Sequence, residues 1–100
     1  MKYINYGYRP HKVLLEDDTH YVINARWHPQ EHDDITLVRK QDFPVIEDTL
    51  TEPGINWGTR HCLTEAIATR EYAKLQEKYG TVDEPRYNQV LEVWSIHYHY

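Results

Sequence analysis

The sequence predicts an α+β fold: a single domain over residues 1–100, with a mainly antiparallel sheet of four to five strands and one long helix packed on it, in the order β-β-β-β-α-β. Three observations carry that expectation. "HYVINARW" alternates with period two, "TRHCLTEAIATREYAKLQEKYG" repeats its apolar residues with helical period, and one hundred residues support one core rather than two.

Taken in order, "KYINYGY" places Ile4, Tyr6 and Tyr8 on one parity, as in a half-buried strand weakened by Gly7. "HKVLLE" is a second short strand, closed by the turn formers Asp17 and Asp18. In "HYVINARW" Tyr21, Ile23, Ala25 and Trp27 share one face; "DITLVRK" alternates in the same way, so the two runs read as a hairpin. Between them "WHPQEHDD" is an exposed connection, because Pro29 cannot donate to a ladder. Residues 41–58, with two prolines and two glycines and no sustained period, read as a long connection anchored by Phe43, Val45, Ile46 and Trp57. In the helix, Ala68, Tyr72, Leu75 and Tyr79 form the core stripe, with Leu63 and Ile67 beside it. Thr59 or Thr64 caps its start and Gly80 stops it. The final run, "YNQVLEVWSIHYHY", is apolar on both faces at first, as an interior strand is.

Composition narrows the function classes. One cysteine, Cys62, cannot form an internal disulfide, which suits a reducing, cytoplasmic setting. No apolar run approaches the length of a spanning helix, so no membrane association is expected. Sixteen acidic against eleven basic side chains give a net charge of -5; residues 1–58 hold ten acids and six bases. That field disfavours direct nucleic-acid binding, which depends on clustered Lys and Arg. Nine tyrosines and three tryptophans supply rings that suit either a small core or a binding surface.

Sites of chemistry are few. His28 and His32, with Asp33 or Asp34, contain ligand types for a divalent ion, and His97 and His99 share a strand face, but no spaced set of four is present, so no metal or other cofactor is assigned. His61 and Cys62 are adjacent and diverge on a helix, so they form no dyad there; the one serine, Ser95, lies inside the last strand. "PGINWGT" lacks the glycines and lysine of a phosphate loop, although the helix start after it, with Thr59, Arg60 and His61, offers donors to an anionic ligand.

The leading expectation is therefore a small acidic, non-enzymatic interaction or inhibitor protein. It docks on a basic surface of a larger, nucleic-acid-handling protein, by analogy of size and charge with the anti-CRISPR-like and other anti-defence proteins of phage. Trp27, Glu31, Asp33, Asp34, Glu47, Asp48 and Trp57 are its candidate contacts, because charge steers encounter and buried rings hold the complex. Two alternatives stay open: a small-molecule or nucleotide-binding protein using Thr59, Arg60 and His61, and a metal-dependent enzyme using His28 and His32.

Overall fold

The computed structural model describes residues 1–100. Strands β1 (Tyr3–Tyr6) and β2 (Arg9–Lys12) form the first antiparallel hairpin, closed by the Tyr6–Arg9 pair. Gly7 and Tyr8 between them both have φ near +60°, 62° and 60°. Two consecutive left-handed residues make the turn whose twist matches that of the flanking strands. Gly7 is needed twice over, since a Cβ there would also meet the Trp27 ring at 3.2 Å.

A meander follows: β3 (Leu15–Glu16), β4 (His20–Asn24) and β5 (Ile35–Arg39), each antiparallel to the next. The Asp17 carboxylate accepts from the backbone N–H of Thr19 and of His20, at 2.8 and 2.7 Å, which fixes the turn into β4. After a short 3-10 turn, β6 (Thr49–Pro53) and β7 (Trp57–Cys62) form a hairpin; then come α1 (Glu65–Lys78), β8 (Thr81–Val82), β9 (Arg86–Asn88) and β10 (Val93–His99). β10 lies between β7 on one side and both β8 and β9 on the other, in a sheet ordered β6-β7-β10-β8.

The α+β class therefore holds, with antiparallel sheets and one helix. The strands are divided among three sheets instead of one, and four details of the sequence reading are corrected. Residues 57–62 are strand, so of the two helix starts offered by the sequence Thr59 lies within β7; α1 starts after Thr64, whose hydroxyl accepts from the Ile67 N–H at 3.2 Å. Trp57 and Thr59 suit a pleated, half-buried surface, and the pairing available on both sides of β7 decides the matter. Residues 41–58 are not one long connection, because β6 occupies their second half. The run from Tyr87 is broken into β9 and β10 by a turn in which the Asn88 side-chain oxygen accepts from Val90 and Leu91 N–H, both at 3.0 Å. Finally, Gly80 ends the helix without a left-handed cap: Tyr79 is already extended, and its N–H still reaches the Leu75 carbonyl at 2.8 Å.

Three apolar clusters hold the molecule. Ile4, Tyr21, Ile23, Ala25 and Val38 pack beneath the meander. Cys62, Ala68, Leu75, Ile96 and Tyr98 join α1 to one face of the largest sheet. Tyr3, Ile46, Leu91 and Val93 link the two halves. Each fully buried Ile or Leu contributes about 1.5–3 kcal/mol. The opposite face of the largest sheet has no helix to cover it. Its side chains are largely polar, and β2 lies against it, with the Arg9 guanidinium reaching Glu52 on β6. No helix is long and apolar enough to cross a membrane.

Candidate functional site

Two surfaces stand out. The first is a cleft of about 150 Å³ on the helix-free face of the largest sheet, lined by residues of β2, β6, β7, β9 and β10. Register builds it. Ser95 on β10 pairs directly with His61 on β7, and Glu52 on β6 pairs with Thr59, so all four side chains rise from one face. The Ser95 hydroxyl lies 2.8 Å from His61 Nδ1, and His61 Nε2 lies 3.0 Å from the Glu52 carboxylate. The other Glu52 oxygen accepts from Arg9 Nε at 3.2 Å. Beside this chain, Thr59 Oγ1 and His97 Nδ1 are 2.9 Å apart.

The donors and acceptors order themselves. A carboxylate held by a guanidinium only accepts, so His61 Nε2 carries the proton; Nδ1 is then an acceptor and the Ser95 O–H donates to it. Burial lowers the His61 pKa below the ordinary value of 6.5, although the Glu52 hydrogen bond pulls the other way. The ring is neutral at pH 7. Asn88 lines the same cleft, and because its oxygen is occupied by two backbone donors, its NH2 is the end left free.

Trp27 and Trp57 belong to this neighbourhood. The Trp27 ring lies 4.2 Å from the Arg9 guanidinium, and Trp57 lines the cleft with its ring over Gly54. Both rings are about two-fifths exposed, 39% and 40%. Neither is a core residue, and Arg9, which lies against Trp27, lines the same cleft as Trp57.

The second surface is the outward face of the meander. Leu15, Val22 and Leu37 are paired across β3, β4 and β5 and form a single row; Leu15 is 71% and Leu37 62% exposed, and Ile35 beside them is also exposed. The loop from Ala25 to Asp34 adjoins one end of β4, and the Asp17–Asp18 turn the other. In that loop, Glu31 accepts from the Trp27 N–H at 3.0 Å, while Asp33 is shared by Asn24 and Arg26. Asp34 faces solvent, with only Thr36 against its carboxylate.

The remaining sequence candidates are dispersed. Asp48 pairs with Arg70 and Glu47 is exposed at the far end of the largest sheet, away from the loop. Arg60 projects from β7 to the helix side and pairs with Glu71 at 2.9 Å, so Thr59 and His61 share the cleft without it. The helix start on which that trio was read as an anion site lies further along the chain, at Glu65. His28 and His32 are exposed, and no three His, Cys, Asp or Glu side chains converge closely enough to hold a metal ion. Cys62 is buried against α1, where burial pushes its thiol up to about 11.

Glu52 and Ser95 were not singled out by sequence. The available signal was parity: Thr59 and His61 alternate on one strand, and Ser95 and His97 on another, a polar face next to an apolar one. Comparison with protein-family models, with curated proteins and with solved structures gave no match, so the site is read from its own geometry.

Proposed function

We propose that this protein is an acidic docking protein that engages a basic surface on a larger protein partner through the outward face of the β3–β4–β5 sheet. The observation that carries the reading is the Leu15–Val22–Leu37 row, exposed at Leu15 and Leu37 with Val22 half-buried between them and extended by the exposed Ile35, on a sheet whose last strand, β5, has a free edge. A monomer gains nothing from a contiguous apolar strip in water, and such strips mark contact surfaces.

Charge selects the kind of partner. Of the Lys and Arg side chains, all but Lys78 and Arg86 are already ion-paired within the chain. Eight acids are not; Asp18, Glu31 and Asp34 lie in the two loops that border the meander, and Glu47, Glu65, Glu77, Asp83 and Glu84 lie elsewhere on the surface. The surplus negative charge is therefore available to an incoming basic surface, and the apolar row supplies the area that holds it. A protein that handles nucleic acid carries such a surface, and covering it would block or modulate that protein, as in the anti-defence type suggested by size and charge.

Capture from lysate of the source cell tests the reading. The wild type is expected to retain a basic protein that is released as salt rises. Leu37→Lys is expected to lose it, and Asp33→Asn with Asp34→Asn to slow its association, both with an unchanged circular dichroism spectrum. His28→Gln with His32→Gln is expected to change nothing. Equal retention by the wild type and by Leu37→Lys would remove this face from consideration.

A further inference from the structure

We propose that the cleft between β2 and the largest sheet is a nucleophile site in which Ser95, His61 and Glu52 act on a small ester. This goes beyond docking, uses a different surface and does not depend on it. The chain of hydrogen bonds runs from Ser95 Oγ to His61 Nδ1 at 2.8 Å, from His61 Nε2 to Glu52 at 3.0 Å, and from Glu52 to Arg9 at 3.2 Å. A hydroxyl beside an imidazole whose far nitrogen is fixed by a carboxylate is the arrangement that general-base activation requires. The imidazole is used in the reverse sense to the serine proteases, with Nδ1 toward the hydroxyl; either nitrogen serves, provided the other is held as the donor.

The surroundings meet the further requirements. Burial keeps His61 neutral and hence able to accept a proton. Glu52, held by the Arg9 guanidinium at 3.2 Å, orients the ring. Asn88 lines the cleft with its oxygen taken by two backbone donors, which leaves its NH2 to serve the oxygen on which charge develops. A volume of about 150 Å³ is small for a ligand pocket, which restricts the acyl group to a few carbons. Trp57 at the rim offers an apolar wall to the leaving group.

The reaction balances without a cofactor. Ser95 Oγ bonds to the acyl carbon as its proton passes to His61 Nδ1, and the ester C–O bond breaks as that proton passes to the departing oxygen. Water then enters by the same transfer, its proton going to His61 and its oxygen bonding to the acyl carbon, and the bond from that carbon to Ser95 Oγ breaks as Ser95 recovers the proton from His61. The sum is ester and water to acid and alcohol.

A fluorophosphonate tests the nucleophile directly, since Ser95 Oγ would bond to phosphorus, fluoride would leave and the proton would pass to His61. Intact mass and peptide mapping of the native wild type are expected to show one adduct, on Ser95, that is lost when the protein is unfolded in urea before labelling. Ser95→Ala is expected to give no adduct, and His61→Gln to label at least about a hundredfold more slowly. p-Nitrophenyl acetate is expected to acetylate the same serine, and p-nitrophenyl octanoate not to. A native wild type that takes no adduct on Ser95, or takes it equally fast when unfolded, would overturn the proposal, as would His61→Gln labelling at the wild-type rate.

Discussion

Cys62 illustrates how burial decides chemistry at a single residue. Its thiol is fully enclosed between β7 and α1 and shifted upward to about 11, so almost no thiolate exists at neutral pH. Ellman's reagent at pH 8 is expected to react with Cys62 only as fast as the protein unfolds, and rapidly in denaturant. The glycines give a second contrast. A Cβ on Gly58 would lie 2.6 Å from the Tyr98 ring, itself pinned against α1, whereas one on Gly80 meets nothing within 4 Å. Gly58→Ala is expected to cost about 1–3 kcal/mol in urea denaturation, and Gly80→Ala to be neutral or to add about 0.4–1 kcal/mol. Two histidines make stability depend on pH. Burial is the main cause that lowers both His11 and His61 below 6.5 in the folded protein, so below that pH the unfolded chain binds more protons. The stability from keeping them neutral is present above about pH 6.5 and is lost as pH falls toward the folded values. The loss is at most about 1.4 kcal/mol per histidine for each unit. Urea midpoints are expected to be flat from pH 7 to 8 and to decline from pH 6.5 to 5, with a smaller decline in His11→Gln.

Among the elements, α1 depends on its ends and on one buried acid. Thr64 is its only side-chain cap, and Thr64→Ala is expected to cost about 1 kcal/mol. Glu71 is nearly enclosed, yet it accepts from Arg60 at 2.9 Å and from Arg70 at 3.2 Å, and Lys74 lies 3.6 Å away. Burial alone would raise its pKa; the two guanidinium hydrogen bonds together with the charges of Lys74 and Arg60 outweigh it and hold the carboxyl below the ordinary value. Arg60 projects from β7, so this acid joins the helix to the sheet it covers. Removing one partner of a buried pair costs about 3–5 kcal/mol. Glu71→Ala is expected to lower the urea midpoint by that order, and Glu77→Ala, on the exposed side of the same helix, to leave it unchanged.

Over the whole molecule, extents of 43 × 28 × 23 Å reflect two sheet-based halves set side by side. What joins them is narrow: the cluster of Tyr3, Ile46, Leu91 and Val93, the bond from the Tyr3 hydroxyl to the Glu92 carbonyl at 2.8 Å, and the Arg9–Glu52 and Lys12–Glu92 pairs. Thermal unfolding of the wild type is expected to give one transition, with circular dichroism and tryptophan fluorescence coinciding. Tyr3→Ala removes both the ring and the hydrogen bond and is expected to separate the two signals.

The sequence by itself determined the class, the β4–β5 hairpin, the core stripe of α1 and the exposure of the 27–34 loop. Each rests on periodicity or on turn chemistry within a few residues of chain. The apolar face of the meander was written there too, in Leu15, Val22 and Leu37, but alternation says only that two faces differ, not which one water sees. The tertiary structure alone decided that residues 57–62 are strand, because pairing with β6 and β10 overrides the helix-like run that follows them. It alone brought Glu52, His61 and Ser95 within hydrogen-bonding distance. Those residues are separated by nine and thirty-four positions, and only the register of three strands, a long-range property set by the packing of both sheet faces, makes them neighbours.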